Sequence, residues 1–273
     1  MYLQQYSNEN SFNGLSYLCN KDAKKLKNLI KYLLQKTLGL QNYLFLFARF
    51  VILKLPYDKN EKDFLTFIDL IDDGGHVLDI GANIGVMTYY FAKKLPQSAV
   101  HSFEPVPDNL KVLLRVRSKF GLFNVKIHPY ALGDKAGKVT MIMPEFNKVY
   151  LHGLSHIQQE GNEMKGTIYD VDLKSLDELA DFERVETRAV KIDVEGYELN
   201  VLEGARRLIS KNRPLIYCEL WENENRKKSL ELISKLDYKI FINQKKNLKE
   251  YVGQKGYQNF FFIPAERCDN LKL

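Results

Sequence analysis

A short glycine-bearing segment constrains this chain more than any other feature. Residues 77–85 read Val-Leu-Asp-Ile-Gly-Ala-Asn-Ile-Gly, and the helical pattern of residues 86–92 follows at once. Gly81 permits a tight turn after a strand, and Gly85 permits the next helix to pack closely on that strand. The first N–H groups of such a helix lack partners within it, so they favour a polar or anionic ligand. The segment therefore predicts a strand, a turn and a helix that bind a nucleotide-like molecule.

A second predicted strand follows about twenty residues later and ends in a carboxylate. Residues 100–105 read Val-His-Ser-Phe-Glu-Pro, with Glu104 at the strand end. Rossmann-like folds place at this point an acid that accepts hydrogen bonds from both ribose hydroxyls. A dinucleotide fingerprint also needs a second glycine to admit a pyrophosphate, but Asn83 occupies that position. The pattern favours a nucleoside with an amino-acid tail over NAD.

Five sequence blocks in chain order resemble those of one enzyme family. The blocks are DIGANIG (79–85), FEPVPDNL (103–110), ALGD (131–134), LKSLD (173–177) and KIDVEGYE (191–198). Together they resemble the FkbM family of S-adenosylmethionine (SAM)-dependent methyltransferases over roughly residues 61–264. The resemblance implies an α/β fold with a Rossmann-like, seven-stranded class I methyltransferase sheet. It also implies SAM as the cofactor and methyl transfer to an oxygen of a small-molecule or glycan acceptor.

The residues expected to bind SAM lie where predicted strands end, because open α/β sheets bind ligands beyond the carboxyl ends of their strands. We expect Asp79 to organise the first turn and reach the amino group of SAM, and Glu104 to hold the ribose. The resemblance implies backbone contact between Ala131–Leu132 and the adenine. The complete predicted set is Asp79, Gly81, Ala82, Asn83, Gly85, Glu104, Ala131, Leu132 and Asp193.

Two regions offer a general base for the acceptor. Asp193 ends a predicted strand, where it either contacts the methionine part of SAM or takes the hydroxyl proton. Glu195 either joins it or only complements the dipole of the following helix. His152 and His156 are the other candidates, because an imidazole pKa near neutral suits proton removal. A Mg²⁺ ion held by Asp193 and Glu219 is an alternative that the sequence does not favour.

Strands and helices alternate from residue 61 onward, as expected for a doubly wound sheet. The predicted elements include a strand over residues 125–131 and one helix over residues 198–210. Two strands, at residues 238–242 and 260–263, come last. The resemblance implies that these two form an antiparallel edge.

The predicted organisation is an N-terminal helical cap (1–57) and a methyltransferase domain (58–273) with an inserted lid loop at about 138–172. Residues 21–40 predict a basic amphipathic helix, and the apolar stretch 43–53 is too short to cross a bilayer. We expect this stretch to be buried against the main domain or in a homodimer. Peripheral membrane contact through residues 21–55 is the alternative.

Composition removes some classes of protein and leaves two rival functions. Three distant cysteines without C-x-x-C spacing indicate neither a disulfide framework nor a zinc site, so we expect a cytoplasmic location, including the inner face of the membrane. The net charge of +6 makes a nucleic-acid methyltransferase a rival hypothesis. Residues 193–196 lack the Asn/Asp-Pro-Pro-aromatic block that grips a flipped base, so nucleic acid is not the favoured partner. A protein that binds SAM without turnover is the third hypothesis.

Overall fold

The computed structural model describes residue 26 and residues 28–58, 61–146, 149–158, 165–244 and 247–270. The predictions for residues 1–25, which include Cys19 and the start of the basic helix, lie outside these ranges. Residues 159–164, in the middle of the predicted lid, lie outside them too.

Eight strands form the main sheet. In spatial order they are β12 (Asn247–Glu250), β11 (Tyr238–Gln244), β13 (Asn259–Pro264), β10 (Leu215–Glu219), β9 (Thr187–Ile192), β1 (His76–Ile80), β2 (Ala99–Phe103) and β3 (Val125–His128). Strands β1, β2, β3, β9 and β10 run parallel, so their carboxyl ends meet at one edge. Four of the five residues in β1 are buried, as expected for a parallel strand covered on both faces. The strands that fall between β3 and β9 in the chain belong to a second sheet.

The sheet has one strand more than the seven predicted. β12 pairs with β11 as an antiparallel hairpin, and β13 lies between β10 and β11, antiparallel to both. The last two predicted strands, β11 and β13, pair antiparallel as expected, and β12 adds one strand beyond them at the edge of the sheet. The strand β12 is not predicted, because its sequence Asn-Leu-Lys-Glu is polar. Leu248 is its one buried residue, and a single apolar residue does not give the alternation of apolar and polar residues that indicates a strand.

The inserted stretch, where the sequence predicts a hairpin and a lid loop, contains the strands of a small second sheet. Its centre is the antiparallel pair β5 (Gly137–Phe146) and β8 (Gly166–Lys174). A single 3-10 turn at His152–Leu154 precedes β7. The predicted strand over residues 125–131 stops at His128, because the following residues pair with β8 instead. The shorter strands are β4 (Ala131–Leu132), β6 (Val149–Tyr150) and β7 (His156–Ile157).

Gly39 separates the first two helices of the described chain. Helix α1 covers residues 28–38, with residue 26 also helical, and α2 covers Leu40–Lys54. Gly39 has a φ of 73°, a conformation that glycine adopts without strain. Helix α2 packs its buried side into the main core, so the apolar stretch 43–53 contacts the main domain. No helix among the described residues is long and apolar enough to cross a membrane. The buried residues of α2 are Tyr43, Leu44, Ala48 and Ile52.

The single helix predicted over residues 198–210 is broken at Gly204–Ala205. The Asp177 carboxylate accepts the N–H groups of Arg207 at 2.8 Å and Leu208 at 2.9 Å, so it caps a new helix. Because this cap comes from a distant part of the chain, the local pattern does not reveal it. The remaining helices are α3 (Lys62–Asp69), α4 (Val86–Lys94), α5 (Pro107–Lys119), α6 (Ala180–Glu183), α7 (Glu198–Glu203), α8 (Arg206–Asn212) and α9 (Glu224–Lys235).

Candidate active site

A cleft opens beyond the carboxyl ends of β1, β2 and β9, and the small sheet covers one side of it. The cleft and its open mouth together enclose about 620 Å³. The structure brings eight of the predicted site residues to its wall: Gly81, Asn83, Glu104, Ala131, Leu132, His152, Asp193 and Glu195.

Glu104 joins the turns that follow β1 and β2. Its carboxylate accepts the N–H of Asn83 at 2.8 Å and that of Val106 at 2.9 Å. Burial raises the pKa of Glu104 to about 7, although both N–H groups favour the charged form. A carboxylate has about four acceptor positions, so Glu104 retains capacity for the hydroxyls of a ligand. This position suits the predicted contact with ribose.

Two carboxamides in the cleft carry oxygen atoms that have no partner among the described residues. These atoms are Oδ1 of Asn83 and Oδ1 of Asn109, and both are buried. Nδ2 of Asn109 lies 3.4 Å from the Glu104 carboxylate and 3.5 Å from the carbonyl of His152. Since an unpaired buried oxygen costs free energy, we expect a bound donor beside each one. The hydroxyls and amino group of a nucleoside provide such donors, so these residues fit SAM.

The turn after β1 contacts the end of β9 directly. Gly81 has a φ of 77°, and a Cβ there would lie 1.9 Å from the carbonyl oxygen of Asp193. Gly85 begins α4, and a Cβ there would lie 2.6 Å from a methyl group of Leu113. The N–H of Ala82 donates to the carbonyl of Phe103 at 3.0 Å. Ala82 and Gly85 thus shape the turn but lie outside the cleft wall.

Asp79 is fully buried behind the cleft wall. One of its carboxylate oxygens accepts from the Thr88 hydroxyl at 2.6 Å, and the other lies 3.4 Å from Nζ of Lys191. The carboxylate faces the interior of the protein and reaches the cleft wall through Lys191. The predicted contact of Asp79 with the amino group of SAM stays a prediction.

Lys191 connects the first turn to the end of β9. Its buried ammonium donates to the Gly81 carbonyl at 2.9 Å and lies 3.5 Å from the Asp193 carboxylate. Burial alone would lower the pKa of Lys191, but the charges of Asp193 and Asp79 raise it above the ordinary value. The ion pairs therefore orient Asp193, whose side chain remains 29% exposed at the cleft.

Carboxyl groups gather beyond the ends of β9 and β10. Burial and, to a smaller extent, the charge of Asp193 raise the pKa of Glu195 to about 9 and that of Glu219 to about 8. Glu195 lies on the cleft wall in the left-handed backbone region, with a φ of 53°. Glu198 instead accepts the N–H of Gly196 at 2.8 Å, as a residue at a helix terminus does. Within the described ranges, no group of three or more His, Cys, Asp or Glu could hold a metal ion.

The two candidate histidines of the insertion have different positions. His152 lies on the cleft wall, where burial lowers its pKa to about 4, and its ring contacts that of Phe47. The carbonyl of His152 accepts a hydrogen bond from Asn109, so His152 lies near Glu104. His156 lies outside the cleft wall, with Nδ1 2.8 Å from the carbonyl of Leu154. A role for His156 as the base stays a prediction, since only its Nδ1 contacts the backbone of its own turn.

The Methyltransferase FkbM domain model matches residues 79–258 of this sequence. The chain belongs to the FkbM methyltransferase family. Methyltransferase 1 of Beauveria bassiana (strain ARSEF 2860) is 29% identical over 48% of this chain and 59% of its own length. This chain thus spans less than two thirds of that relative. Methyltransferase sdnD of Sordaria araneosa is 28% identical over 58% of this chain and 70% of its own length. A crystal structure of a methyltransferase FkbM from Methylobacillus flagellatus KT shares 17% identity, with a TM-score of 0.46 over 75% of this chain and 59% of that one.

Sequence reasoning on this FkbM protein missed two residues of the site. Asn109 belongs to the block FEPVPDNL, so its proximity to Glu104 was available as a signal. Lys191 lies in an apolar strand between Val190 and Ile192. A lysine there is unusual, because a buried lysine needs carboxylate partners. That requirement is met by Asp79, within β1, and by Asp193, directly after β9.

Proposed function

We propose that this protein is a SAM-dependent O-methyltransferase that acts on a hydroxyl of a small-molecule or glycan acceptor. One observation carries the proposal. The same cleft holds a ribose-type carboxylate, Glu104, and two acceptor-side carboxyl groups, Asp193 and Glu195. Membership of the FkbM family supports the transfer of a methyl group.

Glu104, Asn83 and Asn109 would hold the ribose and its neighbouring groups in this cleft. Ala131 and Leu132, which also line it, would contact the adenine. When bound, SAM supplies an electrophilic methyl group. Methyl transfer requires the acceptor oxygen to lie in line with that group, so positioning by the cleft contributes most of the rate.

Asp193 is the residue that we assign to the acceptor proton. Lys191 fixes its position, and its side chain remains accessible from the cleft. Glu195 has a pKa of about 9 and is therefore protonated at neutral pH in the free protein. A protonated Glu195 donates a hydrogen bond and so helps to orient a polyhydroxylated acceptor. The acidic surroundings also disfavour the phosphates of nucleic acid.

The proposal is tested by supplying isotopically labelled SAM with sugars, small-molecule alcohols and oligonucleotides, followed by mass spectrometry of each acceptor. We expect a labelled methyl ether on a hydroxyl compound. Transfer to oligonucleotide would support the nucleic-acid alternative, and SAM binding without transfer to any acceptor would support a protein that only binds SAM.

A matched pair of variants tests the assignment of the proton acceptor. Asp193→Asn keeps the shape of the side chain and removes its charge, so we expect turnover to fall by about 10²-fold or more. SAM affinity and melting temperature should change much less. Glu195→Gln should retain more activity, since Glu195 is already protonated. Full activity in Asp193→Asn with loss in Glu195→Gln would show that the roles are reversed.

A further inference from the structure

Helix α1 turns its polar side toward the protein. The buried carboxamide of Gln35 donates to the carbonyl of Tyr150 at 3.3 Å and accepts the N–H of Tyr150 at 3.1 Å. The opposite side consists of six apolar residues at helical spacing, and each is between 38% and 58% exposed. A surface helix of a globular protein has the reverse arrangement. The six exposed residues are Leu26, Leu29, Ile30, Leu33, Leu34 and Leu38.

Helix α2 also carries exposed apolar residues. Leu46, Phe50 and Leu53 occur at intervals of three or four residues and are 47%, 60% and 74% exposed. They lie away from the α2 residues that pack into the main core. We call these three residues, together with the six of α1, the N-terminal apolar face. Exposed apolar side chains in this number mark an interaction site.

The charge of the same region indicates what covers this face. Residues 23–57 contain seven Lys or Arg and no Asp or Glu, which gives +7, whereas the whole chain carries +6. The rest of the chain therefore sums to −1. The net positive charge of the chain thus resides in the sequence segment that contains the apolar face. Two such regions would repel each other across a symmetric dimer, but an anionic surface would attract each of them.

We infer that the N-terminal apolar face docks on an anionic lipid bilayer. Its leucine and phenylalanine side chains would enter the interfacial region, and the surrounding lysine and arginine side chains would contact lipid headgroups. The inference goes beyond methyl transfer and does not depend on the acceptor. Gln35 and Phe47 contact the small sheet at Tyr150 and His152, so the docked region adjoins the covered side of the cleft.

Vesicle co-sedimentation with the full chain tests this inference. The vesicles contain phosphatidylcholine alone or phosphatidylcholine with phosphatidylserine. We expect binding to the anionic vesicles only. Raising the salt from about 0.1 M to about 1 M shortens the screening length from about 10 Å to about 3 Å, so binding should weaken strongly.

Three variants separate this face from apolar surface in general. Leu33→Gln should weaken binding to anionic vesicles by about tenfold, and Lys36→Gln by about fivefold. Phe123→Gln is the matched control, because Phe123 is 93% exposed but lies outside the face. It should leave binding unchanged. All three positions are exposed, so folding should be retained.

Three results would overturn the inference. They are the absence of binding to anionic vesicles, equal binding to neutral and anionic vesicles, and equal losses in Leu33→Gln and Phe123→Gln. Light scattering gives an independent measurement. A dimer that Leu33→Gln dissociates, without any vesicle binding, would show that a second copy of the chain covers the face.

Discussion

The pKa of Glu104 makes cofactor affinity depend on pH in a way that can be calculated. With a pKa of about 7, the carboxyl group is about 90% ionised at pH 8 and about 9% ionised at pH 6. Ribose hydroxyls donate to the ionised form, so ligand binding favours that form and releases a proton. Affinity should therefore be highest above pH 7 and fall about tenfold between pH 8 and pH 6, which corresponds to about 1.4 kcal/mol.

The appropriate ligand for this measurement is 5′-methylthioadenosine, which keeps the nucleoside but lacks the sulfonium and the charged amino-acid tail. Titration of Glu195 and Glu219 then has little influence on the result. Calorimetry at pH 6 in buffers of different ionisation enthalpy should detect the release of close to one proton. Glu104→Gln is the control, because it removes the titration and should give an affinity that hardly changes with pH.

Glu104→Ala should weaken binding further, by about 1.5–3 kcal/mol for each charged hydrogen bond lost to the ribose. The reasoning would be refuted if wild type and Glu104→Gln had the same pH profile. It would also fail if a folded Glu104→Ala protein bound the nucleoside as tightly as wild type.

Three further predictions concern buried groups. Lys191→Met should lower the free energy of unfolding in denaturant by about 3–5 kcal/mol, because it leaves Asp79 buried without its cation. Adding Asp79→Asn should restore part of that loss. If the double variant is instead less stable than Lys191→Met by the full cost of Asp79→Asn alone, the ion pair does not contribute to stability. His101 has its pKa lowered to about 3, chiefly by burial, so between pH 6.5 and 3 the unfolded chain binds a proton that the folded protein does not. The free energy of unfolding should thus fall by about 1.4 kcal/mol per pH unit below pH 6.5. His101→Gln should reduce the slope of melting temperature against pH. An unchanged slope would show that His101 does not cause the loss of stability at low pH. Gly81→Ala should abolish measurable SAM binding in calorimetry, because its Cβ would meet the backbone of Asp193; retained affinity would show that the turn can move.

The parts of the site that could be predicted from sequence are those whose chemistry is local. Gly81, Gly85 and Glu104 follow one another at spacings that a strand, a turn and a helix impose, so their positions can be deduced without the rest of the fold. The network of Lys191 could not be deduced, because it joins residues more than a hundred positions apart.

The orientation of α1 illustrates a second limit. Its sequence pattern predicts a helix with one apolar side, but amphipathicity alone does not say whether that side faces the protein. Gln35 decides the question, because its two hydrogen bonds to Tyr150 fix the polar side inward. The partner lies 115 positions away, so no local pattern contains it.

The interior position of β13 has a consequence for how the protein is made. β10 and β11 flank this strand but precede it in the chain, so they cannot complete their pairing until residues 259–264 have been synthesised. At about 5–20 residues per second, the ribosome needs about 1–4 s to travel from the end of β11 to the end of β13. The apolar edge of β10 therefore lacks its partner until β13 has also left the ribosome. Protection of this edge by chaperones is most valuable during that delay, and slow codons within residues 245–264 would lengthen it.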